Sequence, residues 1–350
     1  MSEVTIPNAF IDVTLLCPAR CWFCYLREGR ENRKMSFKDF EVVVERLVDW
    51  FKVQNVTFLG GEPLTLSDEE LLARVRLCQD YGIERVNLET SGFLLLKHNL
   101  KVLQEFSTIY VSIDYVTSKH EQVRGLPIFS VVKEVLKRKL LDNLGFTSVF
   151  LLDNFEDIFQ LATFCSSHEI PYYVKTLKPS YKELFTGTNG VNVEKVMSEV
   201  RWKILRLYNM IMILSDYYFS GDLSELMVVD EPSYCMYIYE VCEKLTKRRS
   251  QRVDPRCHAL EGVISVRVDG TINICPYTTK LEHQVGNIIE EDYDDLVLRI
   301  KNFRKYKEKY RCNYCKTCPY SSVCTGCFIS DNEHCPLKHQ LHLRLPLYSN

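Results

Sequence analysis

From Ala9 to about Pro179, short apolar runs alternate with longer amphipathic stretches, and this alternation constrains the fold more than any other feature of the chain. Strands that alternate with helices pair in parallel, because each crossover helix returns the chain to the same end of the sheet. Six strands are expected, at Phe10–Leu16, Val56–Leu59, Arg85–Glu89, Ile109–Ile113, Thr147–Leu152 and Tyr172–Leu177. Each but the last is followed by a helical stretch. Six βα units fall short of the eight that close a barrel. The expected class is therefore α/β, a partial (β/α)6 TIM-like barrel, followed by a small cysteine-rich C-terminal domain.

In parallel βα barrels the chemistry collects at the carboxyl ends of the strands. The first run here ends at Cys17, the second at Gly60-Gly61-Glu62-Pro63, the third at Glu89-Thr90-Ser91-Gly92 and the fourth at Asp114. Polar and metal-binding residue types thus fall where such a barrel places its site.

The chain has 350 residues and 15 cysteines, three of them spaced as Cys17-x3-Cys21-x2-Cys24 and eight at or beyond Cys257. No charged N-terminal segment is followed by an apolar run, and no stretch approaches the ~20 apolar residues of a membrane span. A cytoplasmic location is therefore expected. In that reducing compartment persistent disulfides are uncommon, so dense cysteine points to metal or iron–sulfur ligation. Cys78 and Cys165, alone among apolar neighbours, read instead as small core residues. A net charge of −2 gives no reason to expect nucleic acid or an anionic membrane as partner.

Three thiolates on one short loop can hold three irons of a cubane and leave the fourth without a protein ligand. That spacing, with Phe23 before the last cysteine, the Gly60-Gly61-Glu62-Pro63 loop, and Ser112-Ile113-Asp114 followed by Arg124-Gly125, resembles the radical S-adenosylmethionine (SAM) superfamily. The resemblance implies a [4Fe-4S] cluster on Cys17, Cys21 and Cys24 whose open iron is chelated by SAM. It implies that Gly60, Gly61, Glu62 and Pro63 hold the SAM ammonium, with Glu62 making the contact. Ser112, Asp114 and Arg124 would serve the ribose and the methionine carboxylate. The implied reaction is reductive cleavage of SAM to a 5′-deoxyadenosyl radical that abstracts a hydrogen. No side chain is assigned a catalytic role beyond these.

Farther on, Val263–Val268 and Thr271–Ile274 flank Asp269-Gly270, a hairpin signal. Cys257-x12-Gly270-x4-Cys275, then Gly286-Asn287, then Cys315-x2-Cys318-x5-Cys324-x2-Cys327 and Cys335 resemble the SPASM extension of radical SAM enzymes. By that resemblance Cys257, Cys275 and Cys327 serve one auxiliary [4Fe-4S] cluster, and Cys315, Cys318, Cys324 and Cys335 a second. Cys242 or Cys235 could complete the first, or an iron could stay open, and Cys312 is an extra cysteine beside the second set. One or two auxiliary clusters are thus implied, with a pair of zinc sites as the rival reading. The expected domains are a barrel core over 1–180, a helical bridge and linker over 181–256, and the cluster domain over 257–350.

SPASM-bearing relatives mostly act on ribosomally made peptides or proteins, which implies a maturase acting on a peptide or protein side chain. The second reading is a dehydrogenase or tailoring enzyme for a small molecule or cofactor precursor. The third is a non-catalytic zinc or iron–sulfur protein. Pro276 stands after Cys275, where sulfatase-maturing enzymes carry an acidic residue, and only about ten residues precede the first strand. Neither formylglycine formation nor a leader-binding domain on this chain is therefore expected. The Lys- and Arg-rich stretch Asn302–Arg311, including Arg304 and Lys305, is expected to dock a flavodoxin or ferredoxin electron donor.

Overall fold

A computed structural model of the protein describes residues 4–26, 32–151, 154–176, 227–229, 258–277 and 283–309. It divides into two units, residues 1–147 with 258–305, and residues 148–257 with 306–350.

In the first unit β1 (Asn8–Thr14), β2 (Asn55–Gly60), β3 (Arg85–Thr90), β4 (Thr108–Ser112) and the start of β5 (Leu144–Phe150) pair in parallel in that order. The crossovers carry α1 (Phe37–Phe51), α2 (Asp68–Asp80), the short α3 (Leu100–Leu103), α4 (Lys119–Arg124) and α5 (Ile128–Lys137). Period-two alternation decides which face goes inside the helical layer. Ile11, Phe58, Leu88 and Ile109 stand in register, fully buried. Phe40 of α1 and Phe106 both meet the Phe58 ring edge-on. On the opposite face Thr57, Asn87, Glu89 and Tyr110 stay half-buried. Among the described residues the sheet does not close on itself, so the architecture is an open, partial βα barrel.

Helix starts follow the capping chemistry of the sequence. Ser36 accepts from the Asp39 amide at the head of α1, and Ser67 with Glu70 forms a capping box on α2. Strand ends shift by one to three residues from the sequence expectation, and two of the shifts have a visible cause. β1 stops at Thr14, because the Leu15 amide turns to Arg33 O and the Leu16 amide to the Thr14 hydroxyl. β5 begins at Leu144, three residues early. There Gly145 lies under the Tyr110 ring, where a Cβ would come within 2.7 Å of ring atoms. A glycine that reads as a break is, in this strand, a packing requirement.

In the second unit α6 (Phe155–Ser167) precedes β6 (Tyr172–Thr176), which pairs in parallel with β7 (Met227–Val229). Ile158, Cys165, Tyr172 and Val174 are buried, and the Ser148 and Tyr172 hydroxyls meet at 2.7 Å. Cys78 and Cys165 are both fully buried, as expected of core residues, and burial pushes both thiols up in pKa.

The chain re-enters the first unit at the expected hairpin. β8 (Val263–Val266) and β9 (Thr271–Asn273) run antiparallel around Gly270, whose φ of +84° suits glycine. β10 (Gln284–Asn287) adds to β9, and the Asn287 side chain donates to Asp269 O in the turn. β8 also pairs in parallel with β1, Asn8 opposite Val263 through Ile11 opposite Val266, so the hairpin extends the barrel sheet. Arg46 of α1 fastens the following segment: its Nη1 lies 2.7, 3.0 and 3.1 Å from the carbonyls of Ile288, Ile289 and Glu291.

The last helix, α7 (Tyr293–Lys309), buries Leu296, Val297 and Ile300. It corrects part of the expected basic docking face. Arg304 donates through Nε to Leu260 O at 2.7 Å and is half-buried, so it is an internal tie, whereas Lys305 is exposed. Among the described residues no helix is long and apolar enough to cross a membrane.

Candidate active site at the carboxyl ends of the strands

The cysteine loop leaves β1 at Thr14. Cys17 and Cys24 are half-buried and Cys21 is buried, with a turn closed by the Cys24 amide on Cys21 O at 3.3 Å. On one side the Arg20 amide donates to Arg124 O at 2.7 Å, where Gly125 ends α4 at a φ of +71°. On the other side the Gly61 amide donates to Thr14 O at 2.7 Å and the Glu62 amide to Leu16 O at 2.8 Å. The loop is therefore held between the ends of β2 and α4 by backbone groups.

Both glycines of the β2 loop are required by this contact. A Cβ on Gly60 would sit 2.3 Å from Thr14 O, and one on Gly61 would sit 2.4 Å from Leu16 O and 2.6 Å from Leu15 O. Pro63 follows at the head of a 3-10 turn, Pro63–Thr65, where no amide donor is needed. Glu62 is fully buried. Its Oε1 accepts from the Thr90 hydroxyl at 2.6 Å and the Leu64 amide at 3.2 Å; its Oε2 accepts from the Ser91 amide at 2.8 Å and from the Ser91 hydroxyl. Four protein donors thus meet this one carboxylate. The side chain assigned by sequence to a ligand's ammonium thus joins the end of β2 to the end of β3.

Ser112 is buried, with its hydroxyl 3.3 Å from that of Thr147. Asp114 and Arg124 form a buried two-pronged pair, Nε to Oδ2 at 2.7 Å and Nη2 to Oδ1 at 3.1 Å. The guanidinium also lies over Phe23 of the cysteine loop, 5.4 Å from the ring centre. Burial alone would lower the arginine pKa, but Asp114 and then Cys21 raise it above the ordinary value.

Sequence reasoning missed His120, whose i, i+4 spacing to Arg124 on α4 was the available signal. It is fully buried, and its Nδ1 accepts the Asp114 amide at 3.1 Å, which requires the neutral ring. Burial first, and the Arg124 cation second, push its pKa down from 6.5 to about 4. Between those values the unfolded chain binds more protons, so this stabilisation is complete above pH 6.5 and is lost as pH falls towards 4. Asparagine at 120 can accept the same amide without titrating. Denaturant unfolding of wild type and His120→Asn should differ in acid sensitivity by up to about 3 kcal/mol between pH 7 and pH 4. Parallel pH profiles would refute the assignment.

Among the described residues no three His, Cys, Asp or Glu side chains converge on a single metal-ion position. A cubane does not ask this of its cysteines, since each thiolate takes a different iron. A family model of the radical SAM superfamily matches residues 11–165, the strands and loops that build this site. Residues 11–165 are a radical SAM domain. A model of the SPASM iron–sulfur cluster-binding domain matches residues 257–319, so the chain also carries a SPASM domain.

Solved structures share the fold over most of the chain. SuiB of Streptococcus suis, bound to its precursor peptide SuiA, has a TM-score of 0.67 at 18% identity, covering 98% of this chain and 75% of that one. The enzyme anSMEcpe with bound AdoMet has a TM-score of 0.66 at 18% identity, covering 92% and 88%. In sequence, the probable dual-specificity RNA methyltransferase RlmN of Acaryochloris marina is 32% identical over 130 residues, 36% of this chain and 36% of that protein. The chain thus spans about a third of the length of the curated relatives it matches.

A radical SAM domain with a SPASM domain implies a SAM-binding [4Fe-4S] cluster and auxiliary iron–sulfur clusters. The residues present fit the first: three cysteines share one loop, a buried arginine stands beside Cys21, and the glycine cradle leaves no room for a Cβ. Of the auxiliary set, Cys275 is half-buried just beyond β9. Cys257, Cys315, Cys318, Cys324, Cys327 and Cys335, with Cys235, Cys242 and Cys312, lie outside the described residues.

Proposed function

We propose that the protein is a radical SAM enzyme that cleaves SAM reductively and removes a hydrogen from a peptide or protein side chain. The observation that carries the first half is the cysteine loop fixed by backbone bonds to the Gly60–Gly61 cradle and to the end of α4. Supporting the second half is the shared fold with SuiB, described with its precursor peptide, and with anSMEcpe, described with a bound Cp18Cys peptide.

In this reading Cys17, Cys21 and Cys24 hold the cluster, which when bound supplies the electron that breaks the SAM sulfonium. The Gly60–Pro63 loop takes the ammonium end of SAM, with Glu62 making the contact. Ser112, Asp114 and Arg124 serve its ribose and carboxylate, and buried Phe23 keeps water from the loop. Cys257, Cys275 and Cys327 hold one auxiliary cluster and Cys315, Cys318, Cys324 and Cys335 the other. A flavodoxin or ferredoxin in the cytoplasm provides electrons, and the domains divide near 180 and 256.

The test is iron content and 5′-deoxyadenosine formation in anaerobically reconstituted wild type and a Cys17→Ala, Cys21→Ala, Cys24→Ala variant. About twelve irons falling to about eight, with 5′-deoxyadenosine abolished, is expected. About four falling to none, with zinc retained, would refute the auxiliary clusters. For the substrate, deuterium should pass from a side-chain-deuterated precursor peptide into 5′-deoxyadenosine; transfer from small molecules alone would refute the peptide reading.

A further inference from the structure

The C-terminal hairpin and the cysteine loop meet at one guanidinium. Arg267 directly follows β8 and is buried. Its Nη1 donates to Asp12 Oδ2 on β1 at 2.6 Å, and its Nη2 donates to Pro276 O at 3.4 Å. Its Cζ also lies 5.6 Å from the centre of the Tyr25 ring. Tyr25 is the residue after Cys24, and Pro276 is the residue after Cys275. The ring of Tyr277 meets that of Tyr25 edge-on at 6.2 Å. One side chain therefore touches the immediate neighbour of a cysteine from each of the two cysteine sites.

A purely cohesive role accounts poorly for this arrangement. β8 is already laddered to β1 by backbone bonds, and Arg46 already secures residues 288–291. A buried ion pair adds little to stability, because desolvating two charges offsets most of their attraction. The fully buried Oδ1 of Asp12 also has no hydrogen-bond partner among the described residues. Such a pair costs stability and contributes geometry.

We propose that Arg267 is a positioning residue for the first cluster site: it sets the path of the chain beyond Cys24 and makes that path depend on the hairpin that carries Cys275. The inference rests on the reading of Cys17, Cys21 and Cys24 as cluster ligands. It adds that the SPASM hairpin reaches back to shape the SAM loop, so the two cysteine sites are mechanically coupled.

The test uses the full-length protein. Removing Arg267 alone would strand a buried carboxylate, so Asp12→Asn with Arg267→Met is the informative variant. Hydrogen exchange of the iron-free protein should rise about tenfold across residues 17–26, equivalent to about 1.4 kcal/mol of local protection. Amides of α1 and α2 should keep their wild-type protection. Asp12→Asn with Arg267→Lys should recover part of the loss. After reconstitution, the electron paramagnetic resonance g-values of the reduced first cluster with SAM should shift. Unchanged exchange over 17–26, an equal loss in α1 and α2, or wild-type g-values would each overturn the proposal. Should the double variant fail to fold, Tyr25→Leu leaves the Asp12–Arg267 pair intact, removes the ring that faces the guanidinium and should still raise exchange locally, by about twofold to threefold; no change there would likewise overturn it. A first-cluster signal that survives loss of all three loop cysteines would instead overturn the ligand assignment, while the iron-free exchange experiment would still decide the coupling.

Discussion

Alanine at position 61 should empty the first cluster site and lower 5′-deoxyadenosine formation by at least about 100-fold. The added methyl would lie 2.4 Å from Leu16 O and 2.6 Å from Leu15 O, and both are backbone atoms that cannot swing aside. The β1 end must therefore move, which breaks the Gly61–Thr14 and Glu62–Leu16 backbone bonds that hold the cysteine loop. Two lost bonds at about 1 kcal/mol each and about 1–3 kcal/mol of overpacking come to roughly 3–5 kcal/mol concentrated on that loop. Gly82→Ala is the control, since Gly82 has a φ of +79° but a Cβ there meets nothing within 4 Å. It should carry only the left-handed backbone penalty of about 1 kcal/mol and keep its iron. Full iron and turnover in Gly61→Ala would refute the cradle.

Glu62→Ala should destabilise the fold by about 3–5 kcal/mol in denaturant unfolding, because the Leu64 and Ser91 amides and the Thr90 and Ser91 hydroxyls lose their buried acceptor together. Thr90→Val should move stability the same way by a smaller amount, since it removes one donor and keeps the carboxylate. Cluster retention should fall with stability, as the end of β2 is no longer joined to the end of β3. A direct contact between the carboxylate and SAM adds to this and predicts SAM binding weakened beyond what the loss of stability explains, which Thr90→Val would not show. Measuring unfolding of the metal-free protein beside SAM affinity of the reconstituted one separates the two outcomes.

The sequence by itself determined what is local. Six strands, the helices between them and the Asp269-Gly270 hairpin follow from hydrophobic period and turn chemistry, which act within a few residues. The placement of Cys17, Gly60 to Pro63 and Asp114 at strand ends followed too, because parallel pairing brings every strand end to one side. Only the tertiary structure decided the pairings between distant groups. Glu62 took three of its four bonds from residues 28 and 29 positions away, and Asp12 met Arg267 across 255 positions. Arg304 looked like a surface cation until the carbonyl of Leu260 was beside it. Buried His120 gave no sign of its proton state, because desolvation depends on everything packed around a ring and not on its neighbours in sequence. The docking of β8 on β1 has the same origin: an edge strand accepts any partner of suitable register, and the packing of the whole chain selects which one arrives.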